Sequence, residues 1–235
     1  MSKVIPVFIG YDPTEEVAYH TLAHSIIRNS SKPVSITPVR LSHMSEYTRP
    51  RGDKDSTEFS ISRFMVPWMC DFTGHAIFMD CDMMVTGDIA ELWELRDHKH
   101  AVQVVKHDYV PIEKTKMLGQ EQTKYKYKNW TSVMIFNNAK CHKLMPDYIK
   151  SANGLDLHQF KWVQEGHTIG ELPHEWNHLV GVDAPRKDAK LVHWTLGGPW
   201  WNQYLDVEYA DEWVRELRML NYSEQLPEIE KERVF

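Results

Sequence analysis

A short apolar run that ends abruptly on two acids, Ala76-Ile-Phe-Met79 followed by Asp80-Cys-Asp82, constrains this 235-residue chain most tightly. The run is too short for a core helix, and no polar residue alternates through it. It therefore reads as a strand covered on both faces, of the kind found inside an α/β sheet. Side chains of a strand alternate in direction, so Asp80 and Asp82 share one face and Cys81 points to the other. Two carboxylates at one place want a cation. At the carboxyl edge of such a sheet, where ligands bind, a hard-oxygen pair suits Mg²⁺ or Mn²⁺ carrying a phosphorylated substrate.

The flanking pattern supports that sheet. Val4 to Ile9 reads as a strand, Gly10-Tyr-Asp-Pro13 as a turn, and the stretch to about Asn29 as a helix. Strands are expected at Val34 to Val39, Ala101 to Val105 and Val133 to Phe136, with helices over Glu58 to Cys70 and from Asp88. Alternating strands and helices predict a doubly wound α/β architecture with the acids after the third strand. Leu41 to Thr57 and His107 to Asn129 are polar and aperiodic, which predicts a surface flap and a loop or lid. From Val207 the spacing of Trp213, Leu217 and Leu220 predicts a helix, followed by a solvated charged run, Glu228 to Arg233.

With 42% hydrophobic residues the chain can bury one large core, so residues 1–235 are expected to form a single domain. The net charge of -6 offers no broad basic footprint, and nucleic acid is not an expected partner. No apolar segment has the length of a membrane span or a signal sequence, so a cytoplasmic protein is expected. Three scattered cysteines argue against a disulfide framework.

Several other residues carry chemistry beside a plainer alternative. Asp88 and Glu91 follow Thr86-Gly87 in a capping-box spacing, which explains Asp88 as a helix cap rather than a ligand. His193, in Leu191-Val-His-Trp-Thr-Leu-Gly-Gly-Pro-Trp-Trp201, is either a third metal ligand or a core imidazole. Gly197 and Gly198 would let backbone amides approach phosphate, and the indoles, Trp200 among them, would stack on a sugar or base. Arg63 lies in an apolar helix, where its guanidinium would hold phosphate, a sugar hydroxyl or a carboxylate. His174-Glu175-Trp-Asn-His178 matches the zinc-peptidase spacing, but Pro173 and Gly181 leave little helix to present both imidazoles. Asp80-Cys-Asp82 also has the start of an aspartyl-phosphatase motif, with Met84 where Thr or Val is customary and on the wrong strand.

Taken together, these residues resemble the retaining glycosyltransferases of family 8, the glycogenin and bacterial galactosyltransferase type. The resemblance runs from about Val4 to Trp201 and leaves residues 203–235 as a C-terminal helical extension. It implies a GT-A (Rossmann-like) α/β domain with a central, mostly parallel sheet flanked by helices. It also implies a uridine-diphosphate sugar as donor and a carbohydrate, lipid-linked group or protein as acceptor. Phe8-Ile-Gly-Tyr-Asp12 is similar to the family's nucleotide-binding turn, which puts Tyr11 and Asp12 at the uracil. Asp80 and Asp82 become Mn²⁺ (or Mg²⁺) ligands with His193. Cys81, Gly197, Gly198 and Trp200 fall in the nucleotide-sugar site, and Arg63 and Gln159 beside the reacting sugar. Trp130, Ser132 and His158 stand at the family's donor-sugar elements, and Trp176-Asn177 resembles a donor or acceptor loop, which gives the zinc-like motif a second explanation. This chain departs from the family at Gly198, where a lysine is usual, at Trp130-Thr131-Ser132, and at His158, where an acid is usual. A catalytically silent nucleotide-sugar binder is the remaining alternative to the enzyme.

Overall fold

The computed structural model describes residues 4–52, 55–108 and 127–221. Six strands form the main sheet: β1 (Ile5–Gly10), β2 (Val34–Val39), β3 (His75–Met79), β5 (His100–Val105), β6 (Val133–Asn137) and β7 (Thr168–Leu172). Their order is β2-β1-β3-β6-β5-β7. The apolar run forms β3 at the centre of this sheet, and Ala76 to Met79 are fully buried. β1 pairs in parallel with β2 and β3, and β5 with β7. The sheet is mostly parallel, as expected, with β6 running antiparallel to both β3 and β5.

A second, smaller sheet was not foreseen. It has the order β4-β9-β8, built from β4 (Met83–Val85), β8 (His178–Leu179) and β9 (Leu191–His193). The two acids therefore occupy the crossing from one sheet to the other, between the end of β3 and the start of β4. Backbone pairing continues past β3, since Asp80 N donates to Ser132 O at 3.0 Å.

Helices cover the sheets. α1 (Glu16–Asn29) buries Ala18, Leu22 and Ile26 while leaving Ile27 outside. The expected helix over Glu58 to Cys70 is broken into α2 (Phe59–Ser62), a tight 3-10 turn at Arg63–Met65, and α3 (Val66–Met69). Pro67 supplies no amide hydrogen there, which removes one helical bond and favours the tighter turn. α4 (Ile89–Glu94) starts on Asp88, whose Oδ1 accepts from Ala90 N at 2.9 Å. Glu91 does not complete a capping box, because its carboxylate takes the Lys190 ammonium at 2.6 Å. α5 (Pro146–Ser151) and α6 (Gly154–His158) flank the far side. The surface segment after β2 is anchored through Arg49, which donates to Ile149 O and Ala152 O at 2.8 and 2.6 Å.

α7 (Ala210–Leu220) packs Trp213 and Leu217 on a small second core with Met84, Val192 and Trp194. Its buried Glu216 accepts from Arg28 Nη2 at 2.7 Å and pairs with His24 Nδ1 at 2.7 Å, tying α7 to α1. The charged run after α7, and most of the segment expected as a lid, lie outside the described residues. Among the described residues, no helix is long and apolar enough to cross a membrane.

Candidate functional site

The crossing between the sheets gathers three ligand groups. Asp80, Asp82 and His193 each offer one atom, and these atoms lie within 4.8 Å of one another. Local structure explains the meeting. His193 is the last residue of β9 and pairs with Met83, the first of β4, while Trp194 N donates to Asp82 O at 3.0 Å. His193 Nε2 thus stands 3.3 Å from Asp82 Oδ2. Cys81, in the bend between the two acids, places its thiol on Glu15 Oε2 at 3.7 Å. Burial drives that thiol's pKa up.

Arg63 reaches Asp80 from the 3-10 turn. Its Nη1 lies 2.7 Å from Asp80 Oδ1 and also donates to Thr131 O at 2.9 Å, while Nε donates to Ser60 O at 3.1 Å. The hydroxyl of Thr131 meets His158 Nδ1 at 2.8 Å, so Thr131 links Arg63 to the end of α6. Gln159, half-buried, is the C-cap of that helix. Burial pushes the Asp80 carboxyl up to about 6, against the opposing pull of the Arg63 guanidinium. Burial, with Asp82 and Asp12 nearby, pushes Glu15 up to about 8.

Around this centre the other expected residues fall into distinct places. Tyr11 donates to Glu16 Oε1 at 2.7 Å, and the Arg40 guanidinium lies 4.8 Å from its ring centroid. Asp12 is buried and accepts from Thr14 N, Thr14 Oγ1 and Glu58 N at 2.9, 2.7 and 3.0 Å, capping the turn that follows β1. Ser132 accepts the Asp80 amide through its carbonyl. The indole of Trp130 donates to His107 O at 2.9 Å. Trp176 is buried in the main core beneath Lys190. Gly197 has φ +127°, and an added Cβ would run into the Tyr204 ring. At Gly198 the same addition would strike Trp200, whose ring packs 5.5 Å from Trp213 and 6.0 Å from Trp194.

Asn177 lies next to the centre. Its side-chain oxygen meets His193 Nδ1 at 2.9 Å, and its Nδ2 donates to Asn129 O at 3.4 Å. Sequence reasoning missed this contact, and missed Thr131 and Glu15 as neighbours of the acids. No signal in the sequence marks Glu15 as buried, and only three-dimensional contacts reveal all three.

The zinc-peptidase alternative fails on geometry. His174–Trp176 is a 3-10 turn and His178 belongs to β8, so no helix presents the two imidazoles together. His174 stands edge-on to His107, with ring centroids 5.2 Å apart. His178 is wholly buried, with Nε2 3.0 Å from Glu208 and Nδ1 3.7 Å from Asp183. Among the described residues, the metal-capable group is the Asp-Asp-His set.

Comparison with known proteins agrees with the fold and with a glycosyltransferase. The family model described as glycosyl transferase family 8 matches residues 14–202. The chain is 42% identical over 229 residues to Protein CDI of Arabidopsis thaliana, covering 93% of this chain and 88% of that protein. Among solved structures, the WbbM bifunctional glycosyltransferase superposes with a TM-score of 0.66 at 17% identity over 97% of this chain. This chain spans about half, 52%, of the WbbM chain. The galactosyltransferase LgtC, solved with donor and acceptor sugar analogs, superposes with a TM-score of 0.62 at 10% identity, over 98% of this chain and all of that one. These structural likenesses establish a GT-A fold, in which a bound divalent metal is usual. A family match over most of its length, on a GT-A fold, places this chain in glycosyl transferase family 8, as a glycosyltransferase.

Proposed function

We propose that this chain moves a sugar from a UDP-type donor to an acceptor hydroxyl, with Mn²⁺ or Mg²⁺ held by Asp80, Asp82 and His193. The observation that carries the reading is the donor set itself. Two carboxylates and an imidazole converge from two sheets, and His193 Nε2 faces Asp82 Oδ2 at 3.3 Å. Hard oxygens with one neutral imidazole suit such a cation. That LgtC was solved with donor and acceptor sugar analogs supports a nucleotide-sugar chemistry on this fold. When bound, the cation neutralises diphosphate charge as the glycosidic bond breaks.

The chain's own residues supply the rest. Arg63, pinned by three carbonyl oxygens and Asp80, keeps the buried Asp80 in its carboxylate form and so acts through it as a positioning residue. Tyr11 and Asp12 form the base side of the site, with Asp12 shaping the turn that carries the ring. The Gly197-Gly198 turn and Trp200 line the diphosphate side. Gln159, next to His158 and thus near the Arg63 arm, orients the sugar, with Trp130 and Ser132 on the same wall. Orientation of the acceptor lowers the entropic part of the barrier. Departure and attack on one face of the sugar, assisted by the leaving phosphate, would retain configuration without a covalent intermediate. Three free cysteines, two of them buried, fit a reducing cytoplasmic compartment.

A panel of UDP-sugars, assayed for UDP release with Mn²⁺ and with EDTA, tests this directly. Release from one donor that vanishes in EDTA is expected. A folded protein that binds UDP and turns over no donor would make it a silent binder, and EDTA-insensitive turnover would exclude the metal.

A further inference from the structure

The Asn177 amide has only one orientation that satisfies both of its contacts. Asn129 O is a carbonyl and can only accept, so the group 3.4 Å from it must be the NH₂ of Asn177. The other end is then the carbonyl Oδ1, which faces His193 Nδ1 at 2.9 Å and can only accept in its turn. His193 must therefore carry a hydrogen on Nδ1. In the neutral ring, the form that can ligate a cation, Nε2 keeps a lone pair facing the Asp82 carboxylate oxygen at 3.3 Å. Two acceptors at that distance repel each other unless a ring proton or a metal cation lies between them.

From this we infer that Asn177 is a positioning residue for the reaction: it fixes the His193 tautomer and ring plane so that the Nε2 lone pair points at the cation. The inference rests on the metal reading above and deepens it. Both side chains suit the task. Asn177 is wholly buried and His193 nearly so, which shields the bond from competing water. The backbone holds them too. Asn177 immediately precedes β8, whose His178 and Leu179 pair with Val192 and His193 of β9. His178 is braced on its other side by Glu208 at 3.0 Å, a residue beyond the family match. A partner that orients a ligating imidazole through its second nitrogen typically governs metal affinity by about 10- to 100-fold.

Two measurements on the full chain decide it. The first is ¹⁵N NMR of the His193 ring in metal-free protein with the ring neutral, which reads the tautomer without any metal or substrate. The second is Mn²⁺ titration by calorimetry for wild type, Asn177→Ala and Asn177→Asp, each checked for folding by circular dichroism. Expected are an Nδ1–H ring in wild type, an affinity loss of about 10- to 100-fold in the alanine variant, and recovery toward wild type in Asn177→Asp, which still accepts from Nδ1. An Nε2–H ring in wild type overturns the assignment even if Asn177→Ala fails to fold. So does a folded alanine variant that binds Mn²⁺ as tightly as wild type. Wild-type protein that binds no Mn²⁺ sinks the metal reading instead, and the ring spectrum still decides what Asn177 does.

Discussion

Arg63 and Asp80 form a buried ion pair: guanidinium and carboxylate meet at 2.7 Å, with the arginine 5% and the aspartate 9% exposed. Such a pair contributes little net stability, but removing one partner strands the other. Arg63→Met is therefore expected to cost up to about 3–5 kcal/mol in chemical denaturation at alkaline pH. Without the guanidinium the folded Asp80 pKa rises above its wild-type value of about 6, so the cost is full above the variant's folded pKa and is lost as pH falls to about 6, below which Asp80 is protonated in both folded proteins. A loss that does not change with pH would contradict the pairing.

Glu15 makes metal-free protein sensitive to pH in the opposite sense from an ordinary surface carboxylate. Its folded pKa of about 8 lies above its ordinary value of 4.5, because burial, Asp82, Asp12 and Asp80 all disfavour the charge. The folded state thus holds the proton more tightly, and stability falls as pH rises from about 4.5 to about 8. Glu15→Gln removes this term. In EDTA, the variant should gain stability over wild type at pH 8, on the order of a few kcal/mol, and show a flatter melting profile across that window. Parallel profiles for the two proteins would show that Glu15 ionises normally.

The junction of α1 and α7 offers a graded comparison. Glu216 is buried while Arg28 is half-exposed, whereas both members of the Lys32–Glu94 pair are exposed. Arg28→Met leaves a buried carboxylate short of its main donor and should cost about 1–3 kcal/mol. Lys32→Met should cost far less, since both charges of its pair remain in water. Equal losses in urea unfolding would mean that α7 is not held through Glu216.

How much of this was legible in the sequence depended on whether the signal was local. β3 could be read because Ala76 to Met79 is apolar without alternation, and Asp88 because a cap announces itself beside its helix. Strand alternation led to the expectation that Asp80 and Asp82 meet, although β3 ends at Met79 and residues 81–82 form a bend rather than a strand. The antiparallel β6 was not legible, since a five-residue apolar strand looks the same in either direction. Nor was the small sheet, whose β8 has two residues and whose β4 follows the acids after no turn signal. The zinc-like spacing of His174 to His178 is discounted by Pro173 and Gly181, and a 3-10 turn and a strand do stand there in place of a helix. Asn177 and His193 lie sixteen residues apart, and nothing in either neighbourhood announces their bond.

The central claim is that Asp80, Asp82 and His193 hold a divalent cation that in turn binds a nucleotide diphosphate. A thermal-shift titration with UDP, run in Mn²⁺ and in EDTA on wild type and Asp82→Asn, tests it most directly. UDP at about 100 times its Kd should add about 2.7 kcal/mol, raising Tm by about 5–10 °C, only with Mn²⁺ and only in wild type. Equal stabilisation by UDP in EDTA, or in folded Asp82→Asn, would contradict the claim.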